Sequence, residues 1–260
     1  MRLLFLSILC MCSLPVFAQK AKMMDHGDVK VIWNNQIKDA SFRDFQEGVK
    51  RMKILEAIAD DINGYLALPE DLYITFDECK RENAFYDAET KRVTICYEMV
   101  SYLYELFRTK TQNKHELKQM VINTTLFIFY HEMGHALIDL MDLPMIGKEE
   151  DIVDNFSVFL LADGSRQGSL AVLDGAMAFY LMGESSQDIP LKNMELWDEH
   201  SLDHQRFYHI LCMLYGSNPE QSRQLIQKKM LPKEISSRCI DDYKKVKKGW
   251  LSILDPWIKK

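Results

Sequence analysis

Residues 126–138 read Leu-Phe-Ile-Phe-Tyr-His-Glu-Met-Gly-His-Ala-Leu-Ile, three ionisable side chains inside an otherwise apolar run. A stretch this hydrophobic, free of Pro and flanked by further apolar residues, reads as a helix destined for the interior. An interior helix tolerates charge only where a partner compensates it, because burying an isolated ionised group costs far more than a helix gains. Any fold for this chain must therefore bring partners to His131, Glu132 and His135. Histidines at i and i+4 leave one helix face a turn apart. Two imidazoles so placed can hold one metal ion at the ~2.0–2.1 Å that zinc requires. Glu132 lies beside them, where a general base can take a proton from water. About 0.01 matches to this pattern are expected by chance in a chain of this composition, so the metal reading outweighs a pair of core histidines.

Two histidines do not complete a zinc site. A Gly at 138 and a His at 141 would mark the metzincin extension; Ile138 and Met141 exclude it. After a break at Leu143-Pro144-Met145-Ile146-Gly147 comes Glu149-Glu150-Asp151-Ile152-Val153-Asp154. Glu150 reads as the third metal ligand, with Glu149 and Asp154 as alternatives. Asp154, one turn beyond Glu150, reads as the carboxylate that accepts the N–H of a ligand histidine. Asp139, a turn after His135, is a second such candidate. The polar cluster 198–208 is dense in titratable groups. Hydrolysis through a tetrahedral oxyanion needs a donor, and His200 is the first catalytic candidate for that role, with Tyr208 and Arg206 behind it. His204 and His209 read as non-catalytic.

The rest of the chain sets the context. Met1-Arg2, an apolar run to Phe17 and small residues before Gln19 have the layout of a secretory signal peptide, 1–18, cleaved after Ala18. The expected mature chain carries Cys79, Cys96, Cys212 and Cys239. An even number of thiols in an exported chain, without close C-x₂-C spacing, favours disulfides over a zinc cluster. The local pairing, Cys79 with Cys96 and Cys212 with Cys239, closes the shortest loops. A net charge of −6 gives no basic footprint, so no nucleic-acid partner is expected, nor stable membrane insertion after leader cleavage. Helical spacing runs from 40 to 66, followed by β-rich runs at 72–76, 83–86 and 92–96, then almost continuous helical periodicity from 98 onward. This order predicts an α+β class: one domain, 19–260, with a small antiparallel sheet in the part up to about 142 and a mainly helical part from about 143.

H-E-x-x-H followed by E-x-x-x-D on the next helix resembles the gluzincin arrangement of zinc metallopeptidases. That resemblance implies a zincin-like fold, with the sheet packed on the helix that bears 131–135. It also implies one zinc ion on His131, His135 and Glu150, and Glu132 as the water-activating base. Asn83-Ala84-Phe85-Tyr86 is similar to the Asn-Ala-aromatic edge strand of thermolysin-like peptidases. On that likeness Asn83 holds the substrate backbone and Ala84 leaves it room. Only 14 residues separate His135 from Glu150, fewer than is usual in those enzymes. The chain more closely resembles a bacterial metallopeptidase family known mainly as a domain of unknown function, DUF4344. The likeness lies in Asn83–Tyr86, Cys96-Tyr97-Glu98, His131–His135, Gly147–Asp151 and Glu199–Tyr208. The expected function is an exported (periplasmic or secreted) zinc-dependent peptidase acting on peptides or proteins. The rivals are a non-catalytic metal- or partner-binding module and a zinc hydrolase of a non-peptide amide such as a cell-wall crosslink.

Overall fold

The computed structural model describes residues 22–185 and 198–259. The expected leader, 1–18, lies outside the described residues. Strand β1 (Val29–Val31) is followed by helices α1 (Ala40–Met52) and α2 (Ile54–Tyr65). Strands β2 (Leu72–Asp77), β3 (Ala84–Asp87) and β4 (Arg92–Cys96) come next, then α3 (Tyr97–Arg108) and the long α4 (Lys114–Leu140). The second half holds α5 (Glu149–Leu161), α6 (Arg166–Ser185), α7 (Asp203–Ser217), the short α8 (Arg223–Gln227) and α9 (Ser236–Leu254). The architecture is α+β, as expected.

The helical stretch read across 40–66 is two helices. Lys53 sits in the left-handed region, at φ 52°, and its N–H closes the first helix on Val49 and Lys50. The buried positions explain the break. Gln46 and Val49 on α1 and Leu55 and Ala59 on α2 are out of step by about one residue, so a single straight helix could not bury both pairs.

The expectation of an antiparallel sheet is corrected. The sheet is mixed, ordered β1-β2-β4-β3. β1 runs parallel to β2 and β2 parallel to β4, and only β3 is antiparallel, paired with β4 from Ala84↔Ile95 to Asp87↔Arg92. Apolar runs such as 72–76 and 92–96 fit either direction, because strand direction is set by the connections and not by side-chain pattern. A short turn, in which Asp87 Oδ1 accepts from the N–H groups of Glu89 and Thr90, makes a hairpin of β3 and β4. The segment 78–83 instead crosses to the far edge. It is tied there by the Cys79–Cys96 disulfide and by the Glu98 carboxylate, which accepts from the N–H groups of Cys79 and Lys80. The second disulfide joins Cys212 to Cys239, clamping α7 to α9. Both pairings are those favoured by loop length, and such bonds belong to chains that mature in an oxidising compartment.

Helix α4 is the centre of the molecule. It is apolar around most of its circumference, as a helix packed on two sides must be. Phe129, Met133, Ala136 and Leu137 face the first core, with Leu72, Ile74, Val93 and Ile95 of the sheet. Phe127 faces a second core built by α5, α6, α7 and α9. Gly134 has its own reason: a Cβ there would lie 2.7 Å from Val153 Cγ1, so a glycine lets α5 lie directly on α4. Among the described residues, no helix is long and apolar enough to cross a membrane.

Candidate metal centre

Three elements deliver the site. α4 presents His131, Glu132 and His135 from its middle, α5 presents Glu149, Glu150 and Asp154, and the segment before α7 presents Asp198, Glu199 and His200. With α5 pressed onto α4 at Gly134, the Glu150 carboxylate reaches both histidines. Glu150 Oε2 lies 3.0 Å from His131 Nε2, and Glu150 Oε1 lies 3.3 Å from His135 Nε2. One ligand atom from each of His131, His135 and Glu150 falls within 4.8 Å of the others, a set that can hold a metal ion. Two imidazole nitrogens and a carboxylate oxygen are the donor set of a zinc site with room for a further ligand. His200 Nε2 lies 3.1 Å from Glu150 Oε2, so Glu150 is ringed by three imidazoles. A second set of possible ligands, Glu150, Glu199 and His200, shares that carboxylate. A third, Cys79, Cys96 and Glu98, is not one in practice, because its sulfurs are joined in the disulfide.

Each histidine has its other ring nitrogen against a carboxylate. His131 Nδ1 is 2.8 Å from Asp154 Oδ1, His135 Nδ1 is 2.7 Å from Glu149 Oε1, and His200 Nδ1 is 2.9 Å from Asp198 Oδ1. A carboxylate on Nδ1 fixes the ring's orientation and makes Nε2 the more basic, outward nitrogen, the usual device behind metal-binding histidines. Asp154 is itself held: it is 1 % exposed, and Arg206 of α7 reaches it with Nε and Nη2, both at 2.8 Å. The Arg206 guanidinium lies over the Phe179 ring, 3.8 Å from its centroid.

The electrostatics arise from this crowding. Burial works against the imidazolium of His131, but the Asp154 and Glu150 carboxylates outweigh it and raise its pKa. Burial likewise opposes His135, whose pKa Glu150 and Glu149 nonetheless raise to about 9. Burial alone would raise Glu150, yet its hydrogen bonds to His131, His135 and His200 hold it far below the usual carboxylate range. Glu132, 8 % exposed, is pushed up by burial, with the two imidazoles opposing.

These groups open into a cleft of about 920 Å³. One wall is Asn83 and the strand β3 that follows it, with Ala84 and Tyr86; the floor is His131, Glu132 and His135; the other wall carries Glu149, Glu150 and His200. Tyr86 also ties the strand to the helix, its hydroxyl donating to Asp139 at 2.6 Å, where Lys91 pairs at 2.8 Å. The structure thus brings together His131, Glu132, His135, Glu150, Asp154, His200, Asn83 and Ala84, and leaves out the two reserve donors. Tyr208 points into a different groove, between α7 and α9, and Arg206 is spent on Asp154. His204 and His209 bond to Glu184 and Asn155, away from the cleft. Three partners went unread in the sequence in the roles they take: Glu149 behind His135, Asp198 behind His200, and Arg206 behind Asp154. A carboxylate two residues before a histidine, as in Asp198-x-His200, was the one local signal available. No curated protein and no solved structure matches this chain. The model of the DUF4344 family, described as "Putative metallopeptidase", matches residues 35–254, most of the chain, and the protein belongs to that family.

Proposed function

We propose that the protein is an exported zinc-dependent peptidase of zincin type, with β3 lying along α4 as the strand beside which substrate runs. The observation that carries the reading is the convergence of His131 Nε2, His135 Nε2 and the Glu150 carboxylate beside buried Glu132 at the floor of an open cleft. His131, His135 and Glu150 would hold one zinc ion. When bound, zinc supplies Lewis acidity: it polarises the scissile carbonyl and lowers the pKa of water towards ~7.

The remaining chemistry belongs to the chain. The edge of β3 offers backbone groups to an extended peptide, with the Asn83 side chain to hold the substrate backbone and the small Ala84 to let it approach. Glu132 takes a proton from the attacking water and delivers it to the leaving amine. His200, fixed by Asp198 and with its pKa raised by the Glu150 and Asp198 carboxylates, would act as an imidazolium whose Nε2–H turns from Glu150 to the oxyanion. Asp154, Glu149 and Arg206 keep the two metal-binding imidazoles in place.

The test is Glu132→Gln. The variant should bind zinc with the wild-type stoichiometry and lose peptide hydrolysis by a factor of at least ~10²–10⁴, the usual worth of a general base. Residual hydrolysis at the wild-type rate refutes the assignment. Broad peptide-library cleavage that a chelator abolishes separates a peptidase from a non-catalytic module, and cleavage confined to non-peptide amides favours the hydrolase alternative.

A further inference from the structure

The cleft walls carry charge well beyond what the metal site needs. Among the described residues, seven carboxylates line the cleft, against one lysine. Glu150 and Glu132 belong to the metal site, and Glu149 and Asp198 each sit on a histidine ring. Three more remain, of which Glu199 also belongs to the second set of possible ligands with Glu150 and His200. Asp139 and Asp142 line the cleft around the C-terminal end of α4, where Asp139 meets Tyr86, and Glu199 lines it next to His200, with its carboxylate within 4.8 Å of ligand atoms of Glu150 and His200. Asp139 is compensated by Lys91. Asp142 and Glu199 are exposed and, among the described residues, their carboxylates have neither an ion-pair nor a hydrogen-bond partner. Lys148, the one lysine among the described lining residues, turns its ammonium to the Asp198 backbone carbonyl at 3.4 Å and forms no ion pair with either of them.

The backbone adds to this field. Helix α4 ends at Leu140, with Asp142 just past its last turn at a left-handed φ of 46°. The C-terminus of a helix carries a partial negative charge and favours cations. Asp142 therefore places a free carboxylate where the α4 dipole already repels anions. Among the described lining residues carboxylates outnumber the three histidines and one lysine, and such an excess between low-dielectric walls focuses the field and concentrates ligands of the opposite sign. A divalent ion at the floor would offset only part of it.

On this ground we infer that the cleft selects cationic peptide segments, with Lys or Arg side chains on either side of the bond at the metal centre. Asp142 receives one at the α4 end, and Glu199 receives the other. Acidic segments are excluded by the same groups. The inference rests on the peptidase reading for the bond that is cut, but the charge preference is a property of binding and is measured without turnover.

The experiment uses the full mature chain carrying Glu132→Gln, loaded with zinc, and two labelled peptides identical except for flanking Lys or Glu. Fluorescence anisotropy should show the Lys peptide binding roughly tenfold more tightly at low ionic strength. The two affinities should converge near ~0.5 M salt, where screening acts over a few ångströms. Adding Asp142→Asn and Glu199→Gln should weaken the Lys peptide by about three- to tenfold, the combined worth of two exposed ion pairs, and leave the Glu peptide no weaker. Equal affinities, tighter binding of the Glu peptide, binding of neither, or a preference that salt does not diminish would each overturn the inference. Hydrolysis by the wild-type enzyme reports separately. Cleavage without charge bias leaves the peptidase reading standing and removes this one; selective binding without cleavage does the reverse.

Discussion

Replacing Arg206 tests how the site is held together, because this side chain touches neither the cleft nor the three residues proposed to hold the metal. Arg206 is 9 % exposed and makes two hydrogen bonds of 2.8 Å to Asp154, which in turn meets His131 Nδ1. In Arg206→Met, Asp154 keeps only the His131 partner and remains a buried carboxylate without a full charge to balance it. Breaking a buried pair from one side costs about 3–5 kcal/mol, and the lost contact with Phe179 adds up to ~1 kcal/mol. For a chain of this size each kcal/mol moves Tm by about 2–4 °C, so a fall of roughly 6–24 °C is expected. The same substitution loosens His131, and disturbing such a supporting hydrogen bond weakens metal binding by about 10–100-fold.

Thermal unfolding and a competitive zinc titration read the two effects separately. Arg206→Lys should fall between wild type and Arg206→Met, because an ammonium keeps the charge and loses the two-pronged geometry. In the Asp154→Leu/Arg206→Met double variant, much of the stability should return, since two apolar groups can replace a buried pair. Zinc affinity should stay low, because His131 has no carboxylate behind it. An Arg206→Met variant with unaltered Tm and unaltered zinc affinity would refute the reasoning.

Zinc affinity should fall with acid: below the raised pKa of His135, about 9, the imidazole must surrender a proton to bind. Titration calorimetry in buffers of different ionisation enthalpy should show proton release and an affinity that climbs up to about tenfold per pH unit per proton between about pH 6 and 8. Asp154 should contribute to acid unfolding. Burial would raise its pKa, but Arg206 and His131 hold it below the usual range. Its stabilisation is therefore full above about pH 4 and lost as the pH drops further; the stability gap between wild type and Asp154→Asn should be constant above that point and close progressively below it. Removing the Cys79–Cys96 bridge by Cys→Ser at both positions opens a 17-residue separation and should cost about 3 kcal/mol, with faster amide exchange along 78–87, which the bridge anchors. Gly134→Ala puts a methyl group against Val153 and should cost about 1–3 kcal/mol, read by denaturant unfolding, with weaker zinc binding as Glu150 moves away from the histidines.

Much of this protein was legible along the chain. Local rules determine which segments are helix and strand, because periodicity and turn residues act over a few positions, and the i, i+4 spacing of His131 and His135 needs no tertiary information to put both on one face. Short loops made the disulfide pairing readable for the same reason. Three things needed the folded molecule. The direction of β2 relative to β4 is set by the path of 78–83, and the break at Lys53 by which faces of α1 and α2 find a core. The third is the shell around the histidines. Arg206 lies 52 residues beyond Asp154, and His200, which follows α6 in the chain and holds Asp198 at Nδ1, meets Glu150. No spacing rule spans such distances. Their roles come from helix packing that brings α7 and the segment before it against α5, and a buried charge takes whichever partner that packing places within reach.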